Sequence, residues 1–226
     1  MIDHINMSSD TGQSQDKSAA QFPDNDQIQS TMNVLTSMLT SNEAETVLNA
    51  LQRFSALESQ SQLFVPKIVA LSRHNNKVIR QAALSALGKL RSDEKLIVFT
   101  VKKSLHDEEV SIRRIAASTL AQFASTASSA VYDLADRIIN DKDSVVQELC
   151  CHALAEMGAD AHPALPALVQ QLQHGNNEQR IAACRTISRI GINANMAKPA
   201  LIQALQDSNA HVRNFASSAL GSVNVL

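Results

Sequence analysis

From Gln27 onward, apolar residues return at helical spacing and nowhere alternate at the period of a strand. Ile28, Met32, Leu35 and Leu39 form the first such stripe. Beyond it the stripes come in pairs, and the second member of each pair is nearly the same sequence. NKVIRQAALSALGKL starts at Asn76, EVSIRRIAASTLAQF at Glu109 and DSVVQELCCHALAEM at Asp143. NEQRIAACRTISRI starts at Asn177 and AHVRNFASSALGSV at Ala210. Aligned on one column, these copies read Arg80, Arg113, Gln147, Arg180 and Arg213, at spacings of 33, 34, 33 and 33. Seven positions on, the same register gives Leu87, Leu120, Leu154, Ile187 and Leu220. Self-similarity at this period predicts helix pairs that stack, each burying its apolar stripe on its neighbours.

The pattern places a first helix over 63–72, 94–105, 129–139, 163–172 and 197–205, and a second over 77–90, 109–123, 144–157, 178–190 and 210–223. A degenerate pair precedes them, 27–40 and 42–57. In it Val47, Ala50, Leu51 and Phe54 match Ala83, Ala86, Leu87 and Leu90, and Ala44 stands in the Arg80 column. Helices this short are not stable alone in water, so their stability must come from stacking. Pro66, Pro163, Pro166 and Pro199 lie near the start of first helices, where a missing N–H is tolerated. Asn42, Asn76, Asp143 and Asn209 are candidate N-caps, and Gly158 and Gly191 follow second helices. The repeats fall near 27–60, 61–92, 93–126, 127–160, 161–194 and 195–226. Residues 1–26 are polar and aperiodic and read as a disordered leader.

Composition narrows the function classes. Aromatics are only 3% of the chain, with no Trp and one Tyr, so a groove that stacks unpaired bases is not expected. A net charge of −2 gives no general attraction to nucleic acid or anionic lipid. No apolar run is long enough to span a membrane, and the start of the chain has no secretory pattern. Cys150, Cys151 and Cys184 all stand at apolar positions of the repeat, which fits reduced thiols in a cytoplasmic protein.

The repeated motif, V-R-x-x-A-x-x-A-L-G-x-[LI], resembles that of HEAT repeat proteins, most closely at 77–90 and 212–223. The resemblance covers 27–226 and is nearest to the short bacterial repeats also seen in phycobilin lyases. The expected architecture is therefore all-α, a right-handed α-solenoid of about six helix-pair repeats. In the family, an Asp in the turn and an Arg six residues on form a hydrogen-bonded ladder along the stack. Asp107 with Arg113 and Asp207 with Arg213 carry both positions. Asp141 is followed by Gln147, while Arg80 and Arg180 are preceded by His74 and His174, so the ladder is expected to be incomplete.

Function is expected on the columns that vary. Positions one, five and nine after the Arg column share one outward face of the second helix, on the expected concave side. There the chain offers Gln81, Lys89, Arg114, Glu148, His152, Glu156, Arg185 and Arg189 as partner contacts. Glu148, His152 and Glu156, four apart, could hold a metal on one face; the alternative is a solvated face meeting Arg185 and Arg189. No Gly-rich phosphate loop, nucleophile elbow or His-Glu dipeptide occurs, so no catalytic residue, metal or cofactor is assigned. The expected function is a non-enzymatic scaffold that binds a protein or peptide along the concave face. The resemblance alone implies the alternative, a phycobilin-lyase-like protein acting on a tetrapyrrole-bearing protein. Val223, Val225 and Leu226 make the last repeat a candidate self-association surface.

Overall fold

The computed structural model describes residues 25–54, 61–90 and 92–224. The leader expected at 1–26 lies outside the described residues except for its last two, which open the first helix.

The described residues form twelve α-helices and short 3-10 turns, with no strand. Consecutive helices pair as α1 (Asn25–Leu39) with α2 (Ala44–Phe54), then α3 (Val65–Leu71) with α4 (Lys77–Leu87). Next come α5 (Glu94–Ser104) with α6 (Val110–Gln122), and α7 (Val131–Asn140) with α8 (Ser144–Met157). Last are α9 (Leu165–His174) with α10 (Asn177–Ile190), and α11 (Lys198–Ala204) with α12 (Ala210–Val223). The result is an all-α solenoid. Second helices pack on one another more closely than first helices do, the asymmetry expected of a stack whose inner side carries α4, α6, α8, α10 and α12.

The core is one continuous apolar cluster built from repeated columns. Leu87, Leu120, Leu154 and Ile187 are fully buried in successive second helices, as are Ala83, Ala116, Cys150 and Ala183. A second buried column, Leu84, Ala117, Cys151 and Cys184, faces the following repeat. Small residues there let helices approach closely, which is why the chain needs so few aromatics. In α12 that column becomes Ser217, which is exposed.

Local chemistry sets the helix ends. Asn76, Asp143 and Asn209 cap second helices by accepting backbone N–H bonds from Val78, Val146 and His211. Asn176 and Gln179 add a reciprocal capping box. At α2 the residue before the helix is Glu43 and not Asn42: its carbonyl accepts from Val47 N, its own N–H donates to the Ser41 hydroxyl at 3.1 Å, and the helix begins at Ala44. Gly158 and Gly191 have φ of 57° and 68°, a backbone region that costs other residues strain. Each opens a 3-10 segment before the next first helix. Pro163 lies inside one of these segments, whereas Pro66, Pro166 and Pro199 sit in the first turns of α3, α9 and α11.

The three thiols are buried. Burial pushes Cys151 and Cys184 up to about 12 and raises Cys150 as well, so the nucleophilic thiolate is scarce. Cys151 donates to Gln171 Oε1 at 3.0 Å, which holds α8 to α9. A thiol reagent at neutral pH is expected to label none of the three in the folded chain and all three in urea. Labelling of the native protein within minutes, read by mass, would contradict this packing.

Candidate functional site

A ladder of polar side chains ties the repeats together and orients the inner face. Arg80 donates Nε and Nη2 to the two oxygens of Asp107 at 3.0 and 3.1 Å. Arg113 does the same to Asp141, at 2.7 and 2.9 Å. Arg180 Nη2 reaches Asp207 at 2.9 Å. The carboxylate in each case belongs to the following repeat. The ladder therefore runs between repeats, and backbone geometry explains its direction. The turn residue six positions earlier offers its carbonyl: His74 O to Arg80, Asp107 O to Arg113 and Asp207 O to Arg213. Each carboxylate instead turns back to the preceding arginine and accepts one N–H of its own turn, from Glu109, Asp143 or Asn209.

The gaps in the ladder thereby become matched. Ala44 precedes His74, and Gln147 precedes His174, so a missing guanidinium always meets a missing carboxylate across the joint. At the second gap Gln147 donates Nε2 to Asp141 O at 2.7 Å and accepts a bond from Gln179 Nε2 of the next repeat. The splice is neutral.

Charge follows from this wiring. Burial disfavours an ionised Asp141, but the Arg113 hydrogen bonds, the Asp143 N–H and the charges of Arg113 and Arg137 together outweigh it and hold the carboxyl below its ordinary range. Hydrogen bonds from Arg180 lower Asp207, and those from Arg114 lower Asp143. Arg114 is thus not a free contact on the inner face. It forms a two-point pair with Asp143, the N-cap of α8, at 2.9 and 2.6 Å.

Five other candidates come together. Glu148, His152, Glu156, Arg185 and Arg189 line an open groove of about 580 Å³ over α8, α10 and α12. Its rims are charged and its floor is largely apolar. Glu156 and Arg189 face each other at 3.8 Å, an exposed pair of little energetic weight. Among the described residues, Glu148, His152 and Arg185 have no hydrogen-bond or ion-pair partner. Gln81 is exposed on α4 and Lys89 in the turn that follows it, because the helix expected over 77–90 ends at Leu87; both lie outside this groove. Among the described residues, no three His, Cys, Asp or Glu side chains converge as a metal site, so Glu148, His152 and Glu156 do not form one.

The floor holds residues that sequence reasoning passed over: Val145, Leu149 and Phe215. Leu149 and Phe215 stand two positions after the Arg column, beside Ala82, Ile115 and Ala182. That column is apolar in all five of these copies yet never fully buried, because it lies where the core meets the inner face. Phe215, an aromatic side chain in a column otherwise aliphatic, was the available signal.

At the end of the stack, Val223 is buried rather than exposed, while Val225 and Leu226 lie outside the described residues. The exposed apolar side chains of the last repeat are instead Met196 and Ile202, on its first-helix side, and Phe215 in the groove. Among the described residues, no helix is long and apolar enough to cross a membrane.

Comparison with known proteins agrees with this architecture. No curated protein matches the sequence. Among solved structures, a designed armadillo repeat protein aligns with a TM-score of 0.61 and 18% identity, over 84% of this chain and 98% of that one. A designed armadillo repeat protein in complex with the peptide (KR)4 aligns at 0.64 and 17%, over 84% and 98%. A chain from a structure of the interaction between cadherin and beta-catenin aligns at 0.59 and 17%, over 84% of this chain and 44% of that one. At such identities the likeness concerns the fold alone. A family model described as HEAT repeats matches residues 99–183 and 165–225, more than half of the chain. With its stacked helix pairs and its arginine–aspartate ladder, this chain belongs to the HEAT repeat family.

Proposed function

We propose that this protein is a non-enzymatic binding module that holds an extended protein segment along its inner face, over α8, α10 and α12. The observation that carries the proposal is the groove itself. Its rim bears opposite charges on neighbouring helices, several of them unpaired, above an apolar floor. Such a surface costs solubility and cohesion unless something covers it. Mixed charge at the rim favours orientation and choice of partner over raw affinity. The similarity in fold to a designed repeat protein in complex with a peptide supports the same reading.

Selection from a displayed peptide library tests it. Peptides enriched on the native chain are expected to lose most of their binding to a variant carrying Glu148→Lys and Arg185→Glu, with helicity by circular dichroism unchanged. Enriched peptides indifferent to both changes, or no enrichment at all, would remove the groove as the binding site.

A further inference from the structure

The order of charge across the groove specifies its occupant. A chain lying across the inner face crosses α8, α10 and α12 in turn. On α8 it meets Glu148 and Glu156, both exposed. On α10 it meets Arg185, which has no partner among the described residues. On α12 it meets Phe215, 37% exposed, beside the uncharged Ser218. Packed helices lie about 9 Å apart, and an extended residue advances about 3.3 Å, so one helix corresponds to about three residues.

We infer that the segment this groove accepts has an acidic residue at its centre, a basic residue about three positions to one side and an apolar residue about three positions to the other. The inference rests on the groove being a peptide site and adds its order of recognition. The central acid pairs with Arg185. The base pairs with Glu148, since Glu156 already faces Arg189 across the groove and His152 stands between the two carboxylates. The apolar side chain covers Phe215 and removes it from water. Exchanging the acid and the base in the same peptide places like charges together at two helices, which costs affinity twice. Either chain direction satisfies the pattern, because the acid stays central in both.

Two fluorescein-labelled peptides of one composition test the order. One carries Lys-x-x-Asp-x-x-Leu and the other Asp-x-x-Lys-x-x-Leu, with Ser and Thr between. Fluorescence anisotropy with the full chain is expected to show about tenfold tighter binding of the first at low ionic strength, narrowing as salt is added. The variant with Glu148→Arg and Arg185→Glu is expected to invert the preference, and Phe215→Ser to weaken both peptides alike. Equal affinities, a preference unchanged in the double variant, or no binding of either peptide would overturn the order. Library-selected peptides that depend on the groove but carry another charge order would also overturn it. That last result would leave the inner face standing as the binding site.

Discussion

Replacing Asp141 with alanine is expected to destabilise the solenoid by about 3 kcal/mol, because it strands a largely buried guanidinium. The Asp141 side chain is fully buried and that of Arg113 is 12% exposed. Both carboxylate oxygens are used: Arg113 takes both, and Asp143 N–H shares one. Arg137, 3.9 Å away, also faces this carboxylate but keeps Asp136 as its closer partner, so the stranded charge is that of Arg113. Arg213→Ala is the internal comparison, since that arginine contacts only backbone carbonyls of its own turn and is exposed. It should move the urea midpoint very little. Equal shifts for the two variants, followed by far-UV circular dichroism, would mean that the cross-repeat pair contributes nothing.

The same wiring sets the acid limit. Asp136, Asp141, Asp143 and Asp207 all titrate below their ordinary range in the folded chain. As pH falls, the unfolded chain therefore binds protons first, and stability decreases. The contribution is complete above about pH 4, the ordinary carboxylate value, and is lost as pH passes down through the lowered folded values. Asp141→Ala should flatten that slope. An unchanged acid profile would show that Asp141 does not govern it.

Leu154→Ala is expected to cost about 3 kcal/mol, and Leu220→Ala about 1, although both delete the same atoms from the same column. Leu154 is fully buried between repeats on either side, whereas Leu220 is only partly covered. The difference measures what one stacked neighbour contributes, because in a solenoid each repeat touches only those beside it. Hydrogen exchange should localise the first loss to α8 and its neighbours α6 and α10. Equal costs would indicate that burial at α12 is as complete as in the middle of the stack.

The repeat was legible because its buried columns are chemically narrow. Only small or aliphatic residues fit where second helices touch, so Ala83, Leu87 and their counterparts recur and fix the register. The direction of the ladder was not legible. Arg113 is six residues from one Asp and 28 from another, and both lie along the stack. Period shows which columns matter, but not which side of a joint they face. The floor of the groove was hidden for a related reason. Leu149 and Phe215 look like core by composition, yet their column stays partly exposed where the core meets the inner face. Arg114 looked free because its carboxylate, Asp143, stands 29 residues away as the N-cap of another helix.

The matched gaps determine which repeats can be exchanged. From α4 to α12 the successive joints are charged, charged, neutral and charged. Deleting the fourth repeat alone would bring Arg113 against His174, and deleting the fifth alone would bring Gln147 against Asp207. Removing both would set Arg113 opposite Asp207, a compatible joint. By the matching of these joints alone, the fourth and fifth repeats can be removed or duplicated only as a couple. They are also the two that carry the opposed charges of the groove, so any rearrangement the scaffold tolerates keeps the two rims together.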